Sequence, residues 1–269
     1  MKLMKWVPKP LRRFIRERMT IYVYTYGFRP SAAIQEQALT FTVGGRAFTV
    51  RADHRTALYD MIAEIVDYDA YQLSQITWRA NGTRHIVDIG ANIGVTALAF
   101  SQIPGASVTC YEPDPENCKL LQENVESNKV TNVRIFQAAV AKKNGTIEFH
   151  TDEESTGGRI ADEQFTSKRP KIAVPATTLA NAVARCESST IELLKCDCEG
   201  GEYDIVDQIT PELAGRIRNI SMEVHDLDQR RNVQTVSDQL SRLGYRLSCK
   251  PDMWERSALH LLLATQNRH

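Results

Sequence analysis

The sequence predicts an α/β fold: a seven-stranded, mostly parallel sheet with an antiparallel last strand, preceded by a small N-terminal cap. Short apolar, β-branched runs alternate with helical patterns from about residue 85 onward, and this alternation is typical of a parallel sheet. Only residues 251–257 separate the last two runs, too few for a crossover helix, so those strands should pair antiparallel. A turn with two glycines follows the first run, which predicts a ligand site at that edge of the sheet.

Length and composition favour one large domain with an appendage. The chain has 269 residues, too few for two ordinary enzymes. Lys and Arg total 33 and so do Asp and Glu, so the overall charge gives no sign of nucleic-acid binding. None of the 6 cysteines forms a Cys-x-x-Cys pair, and we expect them to be reduced core residues of a cytoplasmic protein.

The first 18 residues are strongly basic, with Glu17 as their single acid. Leu11, Phe14, Ile15 and Arg18 fall at helical spacing, which predicts a short amphipathic helix after Pro10. Two interpretations stay open for residues 1–18: a solvated or partner-docking arm, or a peripheral contact with anionic lipid at a membrane surface.

Residues 1–80 as a whole read as this arm followed by a cap on the main domain, which occupies residues 81–269. Residues 19–28 alternate as in a strand, although a helix continuing from residue 11 is the other interpretation; their tyrosine stripe, Tyr22 to Tyr26, is a candidate interface for a homo-oligomer. Residues 39–50 predict a hairpin around Gly44-Gly45, and residues 56–80 have a helical pattern.

The main domain alternates strand and helix. Candidate strands span residues 85–89, 106–112, 133–140, 190–197, 218–225, 244–250 and 258–265. Candidate helices lie near residues 93–103, 114–128, 176–186, 201–209 and 230–243, and a short additional strand is predicted at Thr146–His150. Residues 151–175 are polar, glycine-bearing and without period, which predicts a loop over the crevice that selects the substrate. Its Arg159 could bind an anionic or glycan substrate, or pair with its acidic neighbours.

The first candidate site is the turn that follows the strand 85–89. Asp88 stands at the carboxyl end of that strand, where open α/β sheets bind ligands, and Gly90, Asn92 and Gly94 follow before a helix begins. A dinucleotide fingerprint needs Gly-x-Gly-x-x-Gly, and Asn92 occupies its second glycine position. The turn therefore suits a ligand with a cationic amine better than a pyrophosphate.

The second candidate site is Glu112, at the end of the next strand. An acid about 20 residues beyond a glycine turn can accept hydrogen bonds from both ribose hydroxyls of a nucleoside. Nicotinamide enzymes and methyltransferases share this device, so Glu112 alone does not separate them. Asp114, followed by Pro115, is a natural helix start.

Two further strand ends carry acids and a histidine. Asp197 and Glu199 follow the strand 190–197, and alternation places Asp197 and Lys195 on one face. Glu223 and His225 share a face at the end of the strand 218–225, and a histidine can act as a base near neutral pH; a hydrogen-bonded structural histidine is the alternative.

Together these strand ends resemble the FkbM-type family of S-adenosylmethionine-dependent methyltransferases. The resemblance rests on Val-Asp-Ile-Gly-Ala-Asn-Ile-Gly at 87–94, Tyr-Glu-Pro at 111–113, Leu-Lys-Cys-Asp-Cys-Glu-Gly-Gly-Glu at 194–202 and Glu-Val-His at 223–225. It implies the Rossmann-like class I methyltransferase fold and S-adenosylmethionine as the cofactor. The implied cofactor pocket is made of Asp88, Gly90, Asn92, Gly94, Glu112 on the ribose, and Ala138 and Ala139 near the adenine.

The resemblance implies O-methylation of a hydroxyl on a carbohydrate or natural product, so the partner is a small molecule or glycan. An alcohol is a weak acid and needs a base or a divalent cation. We expect Asp197, Glu199 and His225 to be catalytic, and metal dependence stays open; Mg²⁺, if used, would bind Asp197, Glu199 and Glu223. The alternatives are an N-methyltransferase, a nicotinamide oxidoreductase and a non-catalytic cofactor-binding scaffold.

Overall fold

The computed structural model describes residues 37–53, 56–151, 158–160, 171–186, 188–254 and 256–266. The basic arm 1–18, the tyrosine stripe and the side chain of Arg159 lie outside the described residues. Within these ranges, no helix is both long and apolar enough to cross a membrane.

The main sheet has the predicted seven strands. Strands are numbered in chain order over the whole chain, so the numbers absent here belong to two smaller sheets described below. The main sheet contains β3 (Arg84–Ile89), β4 (Ala106–Tyr111), β5 (Val133–Phe136), β10 (Leu193–Cys196), β11 (Asn219–His225), β12 (Arg246–Pro251) and β13 (Leu259–Thr265). Their spatial order is β12-β13-β11-β10-β3-β4-β5. β13 pairs antiparallel with both β11 and β12, and the other contacts are parallel. The predicted topology is confirmed.

The topology opens a crevice beside β3. The chain leaves β3 toward β4 and β5 on one side and returns to β10 and β11 on the other. Ligands bind outside the carboxyl ends of the strands at such a switch point. The registers place Asp88 level with Cys110 on one side and Lys195 on the other, so the chain segments after all three strands meet at one edge.

Helices cover both faces of the sheet. They are α1 (Leu58–Ile62), α2 (Val95–Phe100), α3 (Pro115–Ser127), α4 (Leu179–Ala184), α5 (Glu202–Asp207), α6 (Pro211–Ala214) and α7 (Val233–Arg242). α3 begins as predicted, because the Asp114 carboxylate accepts hydrogen bonds from the backbone N–H groups of Glu116 and Asn117. One sheet face packs on α4 to α7, and the other shares its core with α2, α3 and the cap.

The cap contains the predicted hairpin, formed by β1 (Gln37–Val43) and β2 (Arg46–Ala52). Helical structure in residues 56–80 is shorter than predicted: α1 runs into a π-helix at Ala63–Asp67, and a 3₁₀ turn follows at Leu73–Gln75. The side chains of Asn124, on α3, and Asn128, just after it, bond both N–H and C=O groups of β2. The cap is therefore hydrogen-bonded directly to the main domain.

A second sheet was not predicted. Its order is β6 (Ala139–Val140), β9 (Lys171–Thr177), β7 (Gly145–His150) and β8 (Arg159–Ile160). The strand predicted at 133–140 therefore ends at Phe136, and its last residues join this sheet. The helix predicted at 176–186 begins only at Leu179, because Lys171–Thr177 pairs with β7 and the Thr178 hydroxyl then caps the helix.

Candidate active site

One cleft of about 320 Å³ lies over the carboxyl ends of the central strands. The glycine turn after β3 and the end of β4 form its floor, while the cap and the second sheet supply opposite walls. It is lined by Gly90, Asn92, Glu112, Ala138, Ala139, Asp197, Glu199 and Glu223 from the predicted set. Cap residues Asp60, Glu64 and Tyr71 and the late residues Trp254 and Arg256 also line it. The predicted residues Asp88, Gly94 and His225 are not among the lining residues.

Gly90 is required by close backbone contact. Its φ is +76°, and a Cβ at this position would lie 1.8 Å from the carbonyl oxygen of Asp197. The loops after β3 and β10 can therefore approach each other only if residue 90 has no side chain. This contact brings the Asp197 backbone against the glycine turn.

Asp88 lies beneath the turn, fully buried. Its carboxylate accepts a hydrogen bond from the Thr96 hydroxyl at 2.6 Å and pairs with the Lys195 ammonium at 3.1 Å. Lys195 also donates to the Gly90 carbonyl oxygen. The Asp88 carboxylate is thus directed to Thr96 and Lys195 and supports the turn from below, and its predicted role in cofactor binding stays a prediction.

Lys195 is a buried cation. Burial favours its neutral amine, but the nearby carboxylates of Asp88 and Asp197 outweigh that effect and raise its pKa above the ordinary value. Lys195 therefore stays charged and links the floor of the turn to Asp197, whose Oδ2 is 3.8 Å from Nζ.

Gly94 has a packing role, and its predicted part in cofactor binding stays a prediction. Its φ is +94°, and a Cβ there would lie 2.5 Å from Leu121 Cδ1. Glycine at this position lets α2 begin directly against α3. Asn92 does line the cleft; its own φ of +49° points its backbone N–H across to Glu112.

Glu112 closes the floor of the cleft. Its carboxylate accepts hydrogen bonds from the backbone N–H groups of Asn92, at 2.8 Å, and Asp114, at 2.9 Å. Burial raises the pKa of Glu112 to about 7, against the opposing effect of these two hydrogen bonds. Each carboxylate oxygen has a second lone pair, so Glu112 can also accept hydrogen bonds from the two hydroxyls of a ribose.

An apolar wall extends from Glu112. Ala138 and Ala139 line it, as predicted, together with Tyr111, Pro113 and Val140. The Tyr111 ring stacks on Phe136 at 5.3 Å between centroids, and its hydroxyl donates to the carbonyl oxygen of Ala182. A flat apolar surface next to a carboxylate suits a nucleoside, because the faces of its base are apolar and its ribose carries polar hydroxyls.

Asp197 faces the middle of the cleft with 23% of its side chain exposed. Its Oδ2 accepts a hydrogen bond from the Tyr71 hydroxyl at 2.9 Å and lies near Lys195. In the part of the chain that the structure describes, the recorded hydrogen bonds and ion pairs of this carboxylate all involve Oδ2. Oδ1 therefore remains to contact a bound molecule.

His225 does not have the surroundings of a base. Nδ1 lies 3.0 Å from Glu202 Oε1, and Nε2 lies 3.4 Å from Glu199 Oε2. Burial acts to lower the pKa of His225, but the hydrogen bond to Glu202 and the charges of Glu202, Glu199 and Asp197 raise it to about 9. At neutral pH the imidazole is charged and occupied, so it positions Glu199 rather than accepting a proton.

Glu202 has a larger role than its sequence position suggested. It is fully buried at the start of α5, and its Oε1 accepts from the backbone N–H groups of Cys198 and Gly200 as well as facing His225. The dipole of α5 favours an acid there, but these contacts also fix the loop that carries Glu199.

Besides Glu112, two other acids of the cleft have strongly raised pKa values. Burial and the charge of Asp197 raise the pKa of Glu64 to about 7 and that of Glu223 well above its ordinary value. Arg256 moderates both, with a guanidinium nitrogen 3.7 Å from Glu223 and 4.0 Å from Glu64. Glu64 was not predicted as a site residue, because the cap lies outside the motifs and Glu64 is one of several acids in its helical segment.

The structure does not support the Mg²⁺ site that Asp197, Glu199 and Glu223 would form if the enzyme used a metal. Among the residues that the structure describes, no three or more His, Cys, Asp or Glu side chains are grouped to hold a metal ion. Asp197, Glu199 and Glu223 line one cleft but face different partners: Tyr71, His225 and Arg256 respectively.

Comparison with known proteins gives the same family as the motifs. The family model described as Methyltransferase FkbM domain matches residues 88–247. The chain is 28% identical over 136 residues to the 2-O-methyltransferase NoeI of Sinorhizobium fredii, covering 45% of this chain and 55% of NoeI. It is 27% identical over 172 residues to the 31-O-demethyl-FK506 methyltransferase FkbM of Streptomyces tacrolimicus, covering 53% of this chain and 66% of that protein. The chain thus matches little more than half the length of NoeI.

Among solved structures, the chain resembles the methyltransferase FkbM of Methylobacillus flagellatus. The TM-score is 0.48 at 14% identity, and the match covers 71% of this chain and 47% of that chain.

Proposed function

The chain belongs to the FkbM methyltransferase family, and from this premise we propose that it is an S-adenosylmethionine-dependent O-methyltransferase whose acceptor is a hydroxyl of a carbohydrate or natural product. The observation that carries the proposal is that Glu112, the Gly90 turn and Asp197 line one cleft, with the backbone of Asp197 directly against Gly90. Two relatives carry names that place their methylation on oxygen, 2-O-methyltransferase and 31-O-demethyl-FK506 methyltransferase, which supports an oxygen acceptor.

The residues present fit S-adenosylmethionine. Glu112 can accept from ribose hydroxyls, and the wall at Ala138 and Ala139 is apolar enough for an adenine. The carboxylates that line the cleft outnumber its cations, Lys195 and Arg256, and this repulsion adds to the effect of burial in raising the pKa values of Glu64 and Glu223. A ligand with a positive charge in the cleft would relieve this repulsion, since an opposite charge nearby favours ionised carboxylates. When bound, the sulfonium supplies an activated methyl group.

The chain itself must orient the acceptor and take up its proton. Asp197 is the carboxylate we assign to that step, because it faces the cleft and its Oδ1 is uncommitted among the described residues. Holding the acceptor oxygen in line with the methyl group replaces a bimolecular encounter by an oriented one. Glu199, fixed by His225, is placed to accept a hydrogen bond from the acceptor at the same edge.

The linked ion pairs of Glu202, His225 and Glu199 then have a positioning role. An imidazolium between two carboxylates holds Glu199 in one orientation and keeps the loop after β10 closed against the Gly90 turn. Glu202 is fully buried and His225 and Glu199 are mostly buried, which strengthens their charged hydrogen bonds, so the loop geometry serves the orientation of the acceptor.

The test is methyl transfer from S-adenosylmethionine with a labelled methyl group to a panel of monosaccharides, hydroxylated polyketides and their amine analogues. The proposal expects label in an ether of a hydroxylated acceptor, identified by mass spectrometry. Label found only in amine products would support N-methylation instead. Asp197→Asn should abolish turnover while retaining S-adenosylhomocysteine binding, whereas Asp238→Asn, at an exposed position on α7, should leave both unchanged.

A further inference from the structure

Tyr71 is a cap residue placed directly over the catalytic strand ends. It lies outside the residues 88–247 that match the family model, yet it lines the cleft and is only 6% exposed. Its hydroxyl donates to Asp197 Oδ2 at 2.9 Å, and its ring lies 5.2 Å from the Lys195 ammonium. One side chain of the cap thus contacts both charged groups that the strand β10 presents.

Two neighbouring strands of the main sheet, β11 and β13, hold Tyr71 and the next residue in place. The Ser221 hydroxyl on β11 donates to the Tyr71 carbonyl oxygen at 2.8 Å. The next residue, Gln72, is buried with a φ of +53° and donates from its side chain to the carbonyl oxygen of Leu261 at 2.9 Å. The ring itself packs edge-on against Phe100, with centroids 6.4 Å apart. These contacts leave the phenol little freedom relative to Asp197.

The chemistry of the phenol suits a fixed donor. Burial and the charges of Asp197, Glu223 and Glu64 raise the pKa of Tyr71 well above its ordinary value, so the hydroxyl keeps its proton throughout the working range. The Lys195 ammonium approaches the same oxygen of Asp197 at 3.8 Å. Both groups therefore stabilise charge on Oδ2 and orient Oδ1 toward the cleft.

We propose that Tyr71 is a positioning residue for Asp197, and that the N-terminal cap is thereby a working part of the catalytic site. By donating to Oδ2, the phenol fixes the rotamer of the carboxylate and presents Oδ1 to the proton of the acceptor hydroxyl. This inference rests on the proposed function, in which Asp197 accepts that proton.

The test compares Tyr71→Phe with Tyr245→Phe in the full chain. Tyr245 is a matched control: it is also buried, at 4% exposure, and its hydroxyl donates to the Ile217 carbonyl oxygen at 2.9 Å, away from the cleft. Both variants lose one buried hydrogen bond and should lose similar thermal stability. Only Tyr71→Phe should lower kcat, by about 10-fold to 100-fold as expected for a misplaced catalytic group, with little change in KM for the methyl donor.

The pH profile separates positioning from a merely structural role. Removing a donor to an ionised carboxylate favours its protonated form, so the acidic limb of the kcat profile should move to higher pH in Tyr71→Phe and stay in place in Tyr245→Phe. Wild-type kcat and an unmoved acidic limb in Tyr71→Phe would overturn the proposal.

A readout that needs no turnover distinguishes this proposal from the function beneath it. In protein labelled with ¹³C at aspartate carboxyls, with the Asp197 signal assigned from Asp197→Asn, the Asp197 carboxyl resonance should shift in Tyr71→Phe, which removes its hydrogen-bond donor, and stay in place in Tyr245→Phe. That shift without any methyl transfer by the wild type would refute the proposed function while supporting the contact of Tyr71 with Asp197. An unmoved Asp197 resonance in Tyr71→Phe would refute the positioning role itself.

Discussion

Replacing Gly90 by alanine tests how closely the cleft depends on the contact between two loops. The new Cβ would lie 1.8 Å from the carbonyl oxygen of Asp197, about 1.6 Å inside an ordinary contact of about 3.4 Å. The loops after β3 and β10 must then separate, which typically costs about 1–3 kcal/mol. The φ of +76° adds about 1–2 kcal/mol for any residue with a side chain.

Gly45→Ala is the matched control for the backbone strain at positive φ. Gly45 has a φ of +81° in the hairpin turn, and nothing lies within 4 Å of its would-be Cβ, so only the backbone strain of about 1–2 kcal/mol applies. Because 1 kcal/mol corresponds to about 2 °C in Tm for a chain of this size, Gly90→Ala should melt about 2–6 °C below Gly45→Ala.

The assay combines thermal unfolding with calorimetric titration of S-adenosylhomocysteine. Moving the loops apart displaces Asp197 and widens the floor of the cleft, so affinity should fall at least about tenfold in Gly90→Ala and remain unchanged in Gly45→Ala. Equal Tm values for the two variants, together with an unchanged affinity in Gly90→Ala, would refute the reasoning.

Three further predictions concern titratable groups of the cleft. Because Glu112 has a pKa of about 7 and its ionised form accepts ribose hydroxyls best, affinity for S-adenosylhomocysteine should rise with pH through 7; Glu112→Gln should flatten that rise in calorimetry. Glu64 keeps its proton up to about pH 7 in the folded chain but ionises near pH 4.5 in the unfolded chain. Its destabilising effect therefore grows as pH rises from 4.5 to 7 and is complete above 7. Glu64→Gln should raise Tm more at pH 8 than at pH 5, while the exposed Glu123→Gln should not. His225, with a pKa raised from 6.5 to about 9, stabilises the fold below 6.5 and loses that effect as pH rises through 9; the Tm deficit of His225→Asn should therefore be large at pH 6 and small at pH 10, and an equal deficit at both would count against the ion pairs.

The main sheet was predictable because its strands repeat a strong local signal. β3, β4, β10 and β11 are buried on both faces and read as short apolar runs between glycine turns and helix caps, such as Asp114-Pro115. The antiparallel ending followed from the length of one connection. The sequence therefore predicted which strand ends face the crevice, and with them Gly90, Glu112 and Asp197.

One strand of the second sheet was predicted, since Thr146–His150 is confirmed as Gly145–His150, but the sheet itself was missed because it depends on pairing between segments far apart in the sequence. Lys171–Thr177 contains Pro175, an unfavourable residue for a strand interior, and only its ladder with Gly145–His150 makes it a strand. The boundary near Thr178 was misplaced for the same reason, since the helical period was extended back into a strand.

Roles within the site were harder to predict than membership of it. Strand alternation indicated that Asp88, Asp197 and His225 lie near the crevice. The two-residue period of a strand does not say which carboxylate forms an ion pair inside the protein. Lys195 reaches inward to Asp88, so that acid faces the core, and Glu202 engages His225 across 23 residues of sequence. The contributions of Tyr71 and Glu64 come from the cap, whose packing on the sheet no local pattern reveals.

The central claim is that the cleft at the switch point binds a methyl donor rather than a nicotinamide. Calorimetric titration of the full chain with S-adenosylhomocysteine and, separately, with NADH tests it most directly. The account predicts saturable binding of S-adenosylhomocysteine in the micromolar range and no heat of binding with NADH. Saturable binding of NADH without binding of S-adenosylhomocysteine would contradict it.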